Sequence, residues 1–89
     1  MALHYLSFVG EEGWRGCTVV AADDFMEAVI KTHTLGINPG GEVKGTELPE
    51  EIMDDPDAAA HVAACLNRLI TREQMTELFG PDDLIPWRR

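Results

Sequence analysis

Apolar residues concentrate in short blocks along the chain, and the spacing inside each block separates strands from helices. Leu3 to Val9 and Trp14 to Ala22 are dense in aromatic and branched side chains, with Gly10-Glu11-Glu12-Gly13 between them. This pattern predicts a β-hairpin over residues 1–22 with a short glycine-bounded loop. Apolar side chains occupy both parities of each run, so alternation alone does not assign an inner and an outer face, and both faces are candidates for cover.

The next block changes period. Met26, Val29, Ile30, His33 and Ile37 recur at helical spacing, and Asp24 with Glu27 has the form of a capping box. A helix is expected within residues 23–36, from about Asp24 to Leu35, with that stripe as its apolar face. Gly36 suits the left-handed position after a helix, Ile37 can fold back on the last turn, and Pro39 follows where a helix can no longer run. Val43 to Leu48 reads as a third strand within residues 42–48.

Between Glu42 and Asp57 stand seven acids and one lysine, with Pro49 and Pro56 interrupting regular structure, so residues 49–56 read as an exposed acidic connection. Two helices are expected over residues 56–79. Asp55-Pro56 resembles an N-cap followed by proline at the first helical position, and Val62, Cys65, Leu66 and Leu69 trace one face. Thr71 with Gln74 repeats the capping-box form ahead of Met75, Leu78 and Phe79, and Gly80-Pro81 is a stop. The tail, residues 80–89, carries Leu84, Ile85 and Trp87, which predicts docking on the domain or on a second subunit. The order β-β-α-β-α-α describes a single α+β domain with the first helix across one sheet face.

Composition narrows the functional classes. Sixteen acids against seven basic residues in 89 give a formal charge of −9, which repels nucleic-acid backbones and anionic membranes and attracts a basic protein surface. A core of this size leaves little for a deep enclosed site, and self-association, most simply a homodimer, would add buried area. Cys17 and Cys65 do not form a disulfide framework and no leader-like segment is visible, which predicts reduced thiols in the cytosol.

Candidate chemistry is sparse. The Asn38 to Val43 loop, with Gly40 and Gly41, offers backbone N–H groups for an anion or one wall of a pocket, although neither GxGxxG nor GxxxxGK[ST] can be written there. The plainer reading is a helix stop joined to a strand turn. His61 and Cys65, four apart on a helix, are half of a metal site without the other half, and the alternative is a buried thiol beside an exposed histidine. Cys17, between Gly16 and Thr18, reads as a small core hydrophobe rather than a nucleophile. No catalytic residue, metal or cofactor is assigned.

Arginine placement is polar along the chain: Arg68, Arg72, Arg88 and Arg89 are four of the seven basic residues and fall in the last 22 positions. That favours contacts between subunits or a cationic pocket inside an acidic protein. Trp14-Arg15 and Trp87-Arg88 add planar groups able to stack or to anchor an interface. The candidate ligand- or partner-binding set is therefore Trp14, Arg15, Asn38, Gly40, Gly41, Arg68, Arg72, Trp87 and Arg88.

The segment Ala22-Asp23-Asp24-Phe25-Met26-Glu27-Ala28-Val29, running into Leu35-Gly36-Ile37-Asn38-Pro39-Gly40-Gly41-Glu42-Val43, resembles short phage and prophage proteins with no assigned activity. Asn67-Arg68-Leu69-Ile70-Thr71-Arg72-Glu73 resembles a later part of the same pattern. The resemblance covers about half of the chain and implies an origin, in which small acidic proteins often antagonise host defence. The expectation is a non-enzymatic binding protein that occupies a host protein's surface. The alternative is a protein that sequesters a small anionic nucleotide signal, followed by a small enzyme or a structural accessory.

Overall fold

The computed structural model describes residues 2–79. The expected tail contacts, the stop at Gly80-Pro81 and the candidates Trp87 and Arg88 lie outside the described residues, as do the side chains of Leu78 and Phe79. Strands β1 (Ala2–Gly10) and β2 (Gly13–Ala22) form the hairpin, followed by α1 (Phe25–Thr34), β3 (Glu42–Glu47), a 3-10 turn (Glu50–Asp54), α2 (Pro56–Cys65), β4 (Ile70–Thr71) and α3 (Arg72–Phe79). All strand pairs are antiparallel, and the order across the sheet is β3-β1-β2-β4. The domain is α+β.

The mixed parity of the hairpin is explained by burial on both faces. Leu6, Phe8, Val20 and Ala22 form one cluster with Ala28 of α1, while Tyr5, Cys17 and Val19 form another with Leu48, Val62, Cys65, Ile70 and Met75. Helix α1 covers the first face, and α2 and α3 cover the second. Each helix alone would be marginal in water, so this packing sustains them.

Local capping follows the sequence closely. Asp24 accepts from the Glu27 N–H at 2.8 Å, Asp55 accepts from the Asp57 N–H at 2.9 Å, and Thr71 and Gln74 exchange reciprocal bonds at 3.0 and 3.3 Å. At the end of α1 the Gly36 N–H reaches the His33 carbonyl at 3.1 Å and the Ile37 N–H reaches the Thr32 carbonyl at 3.0 Å. This is a Schellman closure, with Gly36 at φ 71°.

Four expectations need correction. The stripe on α1 does not face the sheet: Ala28 and Thr32 do, while Met26 and Ile30 are 65% and 57% exposed. The sheet face below is already filled by Leu6, Phe8 and Val20, and small residues let the helix sit close to it. The acidic connection contains the 3-10 turn, closed by the Ile52 N–H on the Pro49 carbonyl at 3.0 Å. Helix α2 ends at Cys65, because Leu66 takes extended dihedrals and Asn67 a left-handed φ of 57°. Leu66 is thus exposed and Leu69 packs with the opposite cluster. Finally, the chain adds β4 to the edge of β2 before α3, a strand of two residues that is too short to leave a period.

Gly36 and Gly41 both hold positive φ but differ in surroundings. A Cβ at Gly36 would meet nothing within 4 Å, whereas one at Gly41 would lie 2.5 Å from the Val9 carbonyl oxygen. Gly36→Ala is expected to cost about 1 kcal/mol, from dihedral strain alone. Gly41→Ala is expected to cost about 3 kcal/mol, because backbone must shift as well. Urea denaturation midpoints of the two variants measure the difference.

Candidate functional site

The hairpin tip and the glycine loop meet at one end of the sheet. Arg15 crosses 24 positions of sequence to donate from Nη1 to the Pro39 carbonyl at 2.9 Å, and its guanidinium lies against Gly10, where an added side chain would have to push it aside. Asn38 organises the loop from within. Its Oδ1 accepts from the Gly40 N–H at 2.8 Å, while Nδ2 donates to Thr32 Oγ1 at 3.0 Å and lies 3.4 Å from His33 Nε2. The loop is therefore tied to α1 through Asn38 and to β2 through Arg15, a side-chain turn of the kind that asparagine forms readily.

These bonds bear on anion binding. Arg15 supplies the cation that the loop itself lacks before Lys44, and its guanidinium has further N–H groups facing solvent. The Gly40 amide, one of the donors a backbone nest would present, is turned onto Asn38. Residues Arg15, Asn38, Gly40 and Gly41 thus come together as a joint with one exposed cation.

Trp14 belongs to the opposite sheet face, where its indole Nε1 donates to Ser7 Oγ at 2.6 Å. Beside it is a shallow cavity of about 280 Å³ lined by Trp14, Arg15, Thr71 and Arg72, with Glu12 and Glu73 completing the wall. Two arginines are balanced by two glutamates there. Arg68 does not line this cavity; it is exposed on the turn after α2, its N–H on the Cys65 carbonyl at 3.1 Å. The structure therefore joins Trp14, Arg15 and Arg72 across the sheet end and leaves Arg68 apart.

Two surfaces were not read from the sequence. The larger cavity, about 530 Å³, lies where β1 begins and β3 ends, between Leu3, Leu48, Ile52 and Met53, with Glu47 and Glu50 in its wall. Its sequence signal was Ile52-Met53, an apolar pair inside an otherwise acidic connection. The other is the outer side of α1, where Met26 and Ile30, one turn apart, are exposed. Asp23, Asp24 and Glu27 stand at its N-terminal margin.

The thiols form a core contact. Cys17 Sγ and Cys65 Sγ are 3.9 Å apart and share a hydrogen bond, and both residues are free cysteines with no exposure. His61, one turn before Cys65, is buried as well, unlike the exposed histidine of the simpler reading. His4 is buried on the α1 side, with no hydrogen-bond partner for Nε2 among the described residues. Among the described residues no group of three His, Cys, Asp or Glu is arranged to hold a metal ion, and no helix is long and apolar enough to cross a membrane.

The hydrogen bond with Cys17, and then burial, push the Cys65 thiol well above its ordinary value of 9.0. Little Cys65 thiolate forms at neutral pH and both thiols are buried, so both are expected to resist a disulfide reagent in the native protein and to react at once after unfolding. The unfolded chain gives up this proton as pH passes 9 while the folded chain keeps it. Stability is therefore full below that pH and falls above it, by about 1.4 kcal/mol per pH unit for this thiol. Denaturation midpoints across pH, with Cys65→Ala lacking that component of the slope, check the assignment. Comparison of the chain with protein-family models, with curated proteins and with solved structures finds no match.

Proposed function

We propose that this is a non-enzymatic binding module that occupies the surface of a protein partner through the outer side of α1. The observation that carries the reading is the orientation of that helix. Its small residues, Ala28 and Thr32, face the sheet, while Met26 and Ile30 face solvent. Leaving Met26 and Ile30 outside forgoes roughly 2 kcal/mol each of burial, and contiguous apolar surface with a polar margin is characteristic of association sites. The acids at the margin and the charge of −9 favour a partner with basic residues around an apolar groove. The sequence resemblance to phage proteins supports a host defence component as that partner.

The runner-up is sequestration of an anionic nucleotide at Arg15, Gly40, Trp14 and Arg72. Its support is the meeting of Arg15 with the glycine loop and the cavity shared with Arg72. Against it stand the Gly40 amide already bonded to Asn38 and the two glutamates in the cavity wall.

The readings separate by experiment. Met26→Glu combined with Ile30→Glu is expected to abolish capture of a partner from host lysate while circular dichroism and the unfolding midpoint stay near wild type. Arg15→Ala is expected to leave capture intact. Calorimetry with cyclic and dinucleotide ligands is expected to show no heat; stoichiometric binding lost in Arg15→Ala would replace the first reading with the second.

A further inference from the structure

Strand β3 is an outer strand of the sheet among the described residues, and its backbone orientation follows from one bond. The Leu48 N–H donates to the Leu3 carbonyl at 2.8 Å, so by antiparallel alternation Glu42, Lys44 and Thr46 turn their backbone groups toward β1. Val43, Gly45 and Glu47 turn theirs away from it. An outer strand in this state is a template for another strand.

From the self-complementarity of this edge we infer that its occupant is a second copy of this chain, paired antiparallel about a two-fold axis at Val43. The two-fold must be centred on an outward residue if paired amides are to meet. Centred on Val43, the register lets the two Val43 residues exchange both N–H···O bonds, sets Lys44 opposite Glu42 of the other copy and Glu42 opposite its Lys44, and puts Gly41 against Gly45, where no side chains compete. Centred on Gly45, it leaves each lysine opposite a threonine; centred on Glu47, it opposes like charges. Only the first gives both lysines an acid, and opposite charges directly across a strand pair are stabilising.

The rest of the edge fits this arrangement. Val43 is half-buried and packs with the Leu6 and Phe8 cluster. The Phe25 ring lies over Gly45, where an added Cβ would approach it to 2.6 Å. An axis normal to the sheet would make one eight-stranded sheet with both α1 helices on the same side. The inference goes beyond partner binding and does not require it.

Charge reversal tests the register. By light scattering on the full-length protein over a range of loading concentrations, the wild type is expected to reach twice its 9.8 kDa mass. Lys44→Glu and Glu42→Lys should each weaken the dimer roughly tenfold or more, and the double reversal should restore it. Long-range repulsion alone predicts something different. Lys44→Glu makes the chain more acidic and Glu42→Lys less so, which would move association in opposite directions. Met26→Glu with Ile30→Glu should leave the dimer intact. A wild type that is monomeric throughout, single reversals without effect, or dissociation caused by the α1 variant instead would each overturn the proposal. The first two outcomes leave partner capture through α1 untouched, whereas the third would give the α1 face to a second copy as well.

Discussion

The central hairpin buries both of its faces, and the rest of the molecule is arranged around covering them. Tyr5, Cys17 and Val19 point one way, and Leu6, Phe8 and Val20 the other, all without solvent exposure. A sheet with two apolar faces requires three layers, yet 89 residues supply few helical turns to make them. The cover is therefore thin and economical. Helix α1 uses its small side chains to sit close to one face, and α2 uses Ala58, Val62 and Cys65 to approach the other.

That economy has consequences at the periphery. A helix that packs through alanine and threonine leaves its larger apolar residues elsewhere, and on α1 they fall on the outside. At the hairpin tip Arg15 and the glycine loop close on each other, joined at the Pro39 carbonyl. Gly41 is compatible with this closure because the chain passes against the Val9 carbonyl there. The three glycines around Asn38-Pro39 are thus explained first by architecture.

Features set by neighbours in sequence were legible in it: the caps at Asp24, Asp55 and Thr71, the Schellman glycine, the hairpin and the α+β class. Each depends on groups within a few residues, so spacing carries the information. Features set by competition between distant groups were not. The facing of α1 depends on whether the sheet beneath it has room for Met26 and Ile30, which only the packing of Leu6 and Phe8 decides. The contact of Arg15 with Pro39 and the placement of Arg72 beside Trp14 are likewise long-range. Strand β4 was missed for another reason: two residues cannot display a period.

The same distinction orders the candidate site. Asn38, Gly40 and Gly41 belong together by proximity in sequence, and their bonds are mostly with one another or with the end of α1. Arg15 and Arg72 reach the site only through the fold, and the fold supplies Glu12 and Glu73 with them. An acidic protein that places its arginines beside glutamates has reduced their attraction for an anion. On α1 the balance runs the other way, because nothing described in this chain covers Met26 or Ile30 and the adjoining acids reinforce rather than cancel one another. The surface best prepared to gain from contact is therefore the one that the hairpin's two-sided burial turned outward.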